Sequence, residues 1–147
     1  MPSMFETTIP PLKCTLSNLA SILKKAEEHA DAKKIEHAVL LNARLFPDMY
    51  PVIRQVYIAT DMSKGAAARL AGLQVPSYDD NEASFADLHA RIAKTLAFVQ
   101  SVTPAQLDGT EDKDIVVKRG DTETHYHGMQ YLLGNALPNF YFHVTTA

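Results

Sequence analysis

Cysteine is almost missing from this 147-residue chain, and Cys14 is the single example. It has no partner for an internal disulfide, which excludes a disulfide-stapled scaffold and fits a reducing compartment. Within Leu12-Lys13-Cys14-Thr15-Leu16 it reads as a small packing residue in a helix interior. Long apolar runs are missing as well. No stretch approaches the roughly 20 residues that cross a bilayer, and no basic segment followed by an apolar run opens the chain. Neither a membrane anchor nor a signal peptide is expected, so the cytoplasm is the expected location. Charge of one sign never accumulates: 14 basic and 17 acidic residues are interspersed, for a formal net charge of -3. Without a basic face there is no electrostatic footprint for nucleic acid, and without a charged run none for a membrane surface. A glycine-rich phosphate loop, a Gly-x-Ser-x-Gly elbow, a Cys-x-x-Cys pair and a His-Glu-x-x-His helix are all lacking. Nucleophilic hydrolysis therefore has no support.

What is present is periodic. With 46% apolar and 21% charged residues, no internal repeat and no linker, residues 1–147 are expected to form one domain. Phe5, Ile9, Leu12, Leu16, Leu19 and Leu23 recur every three or four positions, which predicts a first helix over Met4 to His29, started or kinked at Pro10-Pro11. A second helix is predicted over Pro51 to Leu70, with Gly72 as its stop. A third covers Glu82 to Ser101, with Phe85, Leu88, Ile92, Leu96 and Val99 inward. The run Asp114–Lys118, the turn Arg119-Gly120-Asp121-Thr122 and the segment Glu123–Tyr126 predict a small β-hairpin. A fourth helix runs from Gly128 to Ala147. The expected class is mainly α, an up-down four-helix bundle with a hairpin before its last helix. That helix stops while still apolar and uncapped, so its truncation is expected.

The polar residues of the last helix carry the most information. Asn139 and His143 stand one turn apart in Leu137-Pro138-Asn139-Phe140-Tyr141-Phe142-His143, on the line of Leu132 and Ala136 that should face the core. A buried polar group there must find a partner or serve a ligand. Two histidines at this spacing would converge on a metal ion, but an asparagine amide is a poor zinc ligand. Pro138 leaves the Gly134 carbonyl without its helical donor. On the second helix Gln55 borders the buried stripe, either locking helix register or touching a ligand. Asp61 and Lys64 read as a surface ion pair, with a pocket role for Asp61 as the alternative. Arg44 and Asp48 flank Pro47, as an ion pair holding the connector or as the mouth of a pocket. His125 and His127 read as solvated strand residues, His89 as a boundary residue, and His29 and His37 as exposed.

Several blocks together resemble the DinB/YfiT-like superfamily, and more closely an uncharacterised bacterial and fungal family of unknown function within it. They are Leu41-Asn42-Ala43-Arg44-Leu45-Phe46-Pro47-Asp48-Met49, Arg54-Gln55-Val56, Asp61 with Lys64 to Gly72, Tyr131-Leu132-Leu133 and Leu137 to Ala147. The resemblance spans essentially the whole chain. It implies homodimers and, in metal-binding members, three histidines, one from the second helix and two from the fourth. Those positions fall on Gln55, Asn139 and His143, a degenerate version of the site. Gly134 stands where relatives have a bulkier residue. The resulting expectation is a small-molecule-binding protein, or a metal-independent enzyme, with a pocket between the second and fourth helices. In the catalytic version His143 is general acid or base, Asn139 and Gln55 orient the substrate, and Arg44, Asp48, Asp61 and Tyr141 contact it. No cofactor is assigned. The rival readings are a metal-dependent hydrolase or thiol transferase, in which His143 would help hold zinc, nickel, iron or manganese, and a non-catalytic structural or interaction bundle.

Overall fold

Ser3 opens the first helix. Its hydroxyl accepts from the Glu6 amide while the Glu6 carboxylate accepts from the Ser3 amide, a reciprocal cap. The structure, a computed structural model, describes residues 2–147. Helix α1 spans Met4–Lys33 without a break, with Pro10 and Pro11 inside it. The expected end at His29 falls one turn short. The prolines stand at the seventh and eighth positions, so the carbonyls of Glu6 and Thr7 lose their helical donors while the helix continues. Ile9, Leu12, Leu16, Leu19 and Leu23 are buried as their spacing predicts. Cys14 is exposed. It sits two residues from both Leu12 and Leu16, on the opposite face, so its reading as a packing residue is corrected.

A short helix α2, His37–Leu41, and an irregular connector lead into α3, Val52–Ala71. A bare strap of residues 73–83 then reaches α4, Phe85–Ser101, whose N-terminus is closed by a Ser84–Asp87 capping box. After the four-residue α5, Pro104–Leu107, the predicted hairpin forms from β1, Asp114–Arg119, and β2, Thr122–His127. The strands are antiparallel, with Arg119 opposite Thr122 and Ile115 opposite Tyr126. Gly120, at φ 57, takes the first position of the two-residue loop, where a positive φ is required. The last helix is composite: α6, Gly128–Tyr131, a π-helical turn over Leu132–Ala136, and α7, Leu137–Thr146.

Four long helical units, α1, α3, α4 and the composite last helix, form the bundle, with α3 against α7 and α1 against α4 as the broadest contacts. Leu16, Leu19, Val56, Leu70, Leu88, Leu132 and Phe140 meet in one core. Burial of this apolar surface is the dominant favourable term. Among the described residues no helix is long and apolar enough to cross a membrane.

Candidate functional site

The π-helical turn decides where the last helix presents its polar residues. The Leu137 amide bonds to the Leu132 carbonyl, five residues back, so the helix carries one residue more than an α-helical turn. The buried stripe shifts with it, from Leu132 and Ala136 to Leu137 and Phe140. Asn139 and His143 end at the border of that stripe, half-buried. A straight helix would have turned both into the core.

His143 meets Gln55 there. Its Nδ1 lies 2.6 Å from Gln55 Oε1, joining α7 to α3 across 88 residues of sequence. Gln55 is 2% exposed and its Nε2 donates to the Tyr50 carbonyl at 3.3 Å. With the amide nitrogen committed to Tyr50, the oxygen faces the imidazole. The ring must therefore donate from Nδ1–H, and Nε2 keeps its lone pair. Burial pushes the His143 pKa below its ordinary 6.5, since a charged ring would lose hydration. Asn139 does not join this pair: its Nδ2 donates to the Asn135 carbonyl at 2.7 Å, inside its own helix. Tyr141 is 41% exposed and lies against Phe140, with ring centroids 5.5 Å apart. Gly134 is exposed.

Beside the pair is a small cavity of about 90 Å³ lined by Arg44, Tyr50, Val52 and Gln55, among others. Arg44 donates to the Met49 carbonyl at 2.6 Å, which folds the connector back on itself. Arg44 and Asp48 are both exposed, and the described ion pairs do not join them. The reading of the two as an ion pair across Pro47 is corrected: the backbone carbonyl of Met49 takes the guanidinium instead.

Asp61 and Lys64 are paired at 2.8 Å, but not on the surface, for the Lys64 side chain is only 6% exposed. They belong to a larger cluster that sequence reasoning missed. Arg91, on α4, is buried. Its guanidinium reaches Asp80 at 2.7 Å, Asp61 at 3.0 Å and Glu82 at 3.1 Å, and its Nε donates to Thr60 Oγ1 at 2.7 Å. Burial works against the charge, and Asp80 and Glu82 more than offset it, so the Arg91 pKa rises. Tyr78 on the strap lies 3.7 Å beneath Lys64 Nζ and 4.1 Å from Lys94 Nζ, ring centroid to nitrogen, with its hydroxyl 3.2 Å from Thr95 Oγ1. The one signal in the sequence was Arg91 itself, three residues after Leu88 and four before Thr95, inside a stripe that should be apolar. Clefts of about 470 and 380 Å³ flank Tyr78 on its two sides, larger than the cavity at the His143 corner.

His125 and His127 are exposed on β2, and His89 is half-buried 3.7 Å from Glu27. His29 is exposed. His37, expected in solvent, is half-buried. Its Nε2 sits 2.7 Å from Asp31 and its ring meets the edge of Phe85, so the corner between α1 and α2 covers it.

Residues 4–147 match the family described as "Domain of unknown function (DUF1993)". The chain is also similar to a DinB family member protein from Shewanella denitrificans, known from a crystal structure. The two share 35% identity and a TM-score of 0.86 over 97% of this chain and 80% of that one. No curated protein matches the chain. The resemblance to metal-binding DinB proteins can be tested on the donors themselves. Of the three aligned positions only His143 offers an imidazole, the Gln55 oxygen is spent on that ring, and Asn139, its nitrogen held by a backbone carbonyl, offers only an amide oxygen, a poor zinc ligand. Among the described residues no three His, Cys, Asp or Glu side chains come together to hold a metal ion. The residues do not fit a three-imidazole centre.

Proposed function

The chain belongs to the DUF1993 family, with the fold of DinB proteins, and from that premise we propose that its Gln55–His143 corner binds a small molecule through hydrogen bonds. The observation that carries this reading is the 2.6 Å bond from His143 Nδ1 to Gln55 Oε1, with Gln55 Nε2 held by Tyr50. Gln55 lines the neighbouring cavity, His143 from another helix is anchored to it, and one basic nitrogen of that ring is left over. A neutral imidazole with Nε2 open accepts a proton or a hydrogen bond near pH 7, the requirement for a general base. The neighbouring cavity of about 90 Å³ takes only a small group, and Arg44 on its wall favours a carbonyl or carboxylate. The ligand would therefore insert one polar end between α3 and α7.

Acetate and acetamide are suitable probes of that end. Either should shift the ring resonances of His143 saturably and raise the melting temperature, and both effects should vanish in Gln55→Leu. A ring that stays silent up to about 100 mM probe, where any binding is weaker than about 1.4 kcal/mol, would leave the pair as a helix-register contact only.

A further inference from the structure

We infer that the cleft between α3 and the 73–83 strap is a second binding site, built for a small organic anion with an apolar body, and that Arg69 is its anchor. Arg69 stands in the last turn of α3 and lines the cleft of about 380 Å³ together with Asp61, Met62, Lys64, Val75, Pro76, Ser77 and Tyr78. Its position is built. Nη1 donates to the Tyr131 hydroxyl at 3.0 Å, and Tyr131 is 2% exposed. Gly65, one turn back on α3, leaves the space that the guanidinium fills, since a Cβ there would collide with Nη1. Yet the partner is a neutral phenol. Among the described ion pairs, none involves Arg69.

The other charges in the cleft are already spent. Asp61 is shared by Lys64 at 2.8 Å and Arg91 at 3.0 Å. Lys64 lies over the Tyr78 ring. The remaining field is the single positive charge of Arg69, whose other N–H donors form a fork suited to a carboxylate. Met62, Val75, Pro76 and the ring of Tyr78 supply an apolar wall beside it. A few fixed polar groups against apolar walls, in a volume of this order, is the usual make-up of a small-molecule site. The fit is to a carboxylate on an aromatic or branched aliphatic body, with its charge on Arg69 and its body against the strap.

Benzoate tests this, with benzyl alcohol as its neutral counterpart, by calorimetric titration at low salt. Benzoate should bind saturably and benzyl alcohol should not. Arg69→Gln should weaken benzoate by roughly ten- to a hundredfold, the range for losing hydrogen bonds to a charged group. Gly65→Ala retains every ligating residue but displaces the guanidinium end of Arg69, so it should weaken benzoate too. Far-UV circular dichroism confirms the fold of both variants, and Gly65→Ala keeps the test decisive if Arg69→Gln loses its contact to Tyr131 and unfolds. Loss of benzoate binding in Arg69→Gln places it in this cleft and not at the His143 corner. Equal binding of benzoate and benzyl alcohol, no saturable binding, or binding indifferent to both Arg69→Gln and Gly65→Ala would overturn the assignment.

Discussion

An imidazole whose Nδ1 proton is given to an amide oxygen can respond to acid only at Nε2. For His143 that response creates a charge in a half-buried place, and burial holds its pKa below 6.5. The folded protein thus binds this proton less readily than the unfolded chain does. Stability is fully present above the unfolded value and falls as pH drops from 6.5 through the lowered folded pKa. In a histidine NMR titration, His143 should be shifted below 6.5, and His143→Gln should flatten the acid side of the stability curve in urea melts. A His143 value at or above 6.5 would mean that the ring is solvated, contrary to its placement against Gln55. Gln55 shows how one side chain can fix another's tautomer: its nitrogen is satisfied by Tyr50, so its oxygen is what the ring meets.

Both long helices that precede a connector end in the same way, with different residues. At the end of α1, Lys34 takes a left-handed φ of 54 while the Ile35 amide bonds to the Ala30 carbonyl at 2.8 Å. At the end of α3, Gly72 takes φ 72 and the Leu73 amide bonds to Ala68 at 2.8 Å. This turn costs glycine nothing and a side chain about 1 kcal/mol. Lys34→Gly should therefore stabilise the protein by about 0.5–1 kcal/mol, and Gly72→Ala should destabilise it by about 1 kcal/mol or more. Chemical denaturation reads both, and equal effects of the same sign would contradict the backbone geometry. The end at Gly72 was legible in the sequence, whereas the one at Lys34 was not, because lysine carries no turn signal. The same distinction runs through the fold. Helix faces and the hairpin followed from spacing, since periodicity is a property of local sequence. The π-helical turn has no such signature, and one added residue moved Asn139 and His143 to the rim of the stripe. Likewise Asp61 and Lys64 looked like a surface pair because their burial depends on Arg91 and on Tyr78, both more than ten residues away.

Helix α3 connects these features, since each polar cluster takes part of its set from this one helix. Gln55 serves the His143 corner, Thr60, Asp61 and Lys64 serve the Arg91 cluster, and Arg69 serves the cleft. Small residues at Ala59, Ala66, Ala67 and Ala68, all fully buried, let neighbouring helices approach closely. Such a spine could either carry independent sites or couple them, and a double-mutant cycle distinguishes the two. Arg91→Met removes the cation that holds Asp61, Asp80 and Glu82 together, and should destabilise by about 3 kcal/mol, the low end for breaking a buried pair. The low end applies because Asp61 and Asp80 are each 38% exposed and can recover water. His143→Ala should cost less, as it breaks one hydrogen bond at a half-buried position. Gln55 and the Thr60–Asp61 pair are five to six residues apart, about 8 Å along the axis at 1.5 Å per residue. At that separation, with no shared partner, the two losses should add to within about 0.5 kcal/mol. Urea denaturation of the two single variants and the double variant measures it. A coupling above about 1 kcal/mol would mean that α3 shifts as a rigid rod when either contact is lost. The strap and the His143 corner would then report on each other, and a ligand bound at one end of α3 would change affinity at the other.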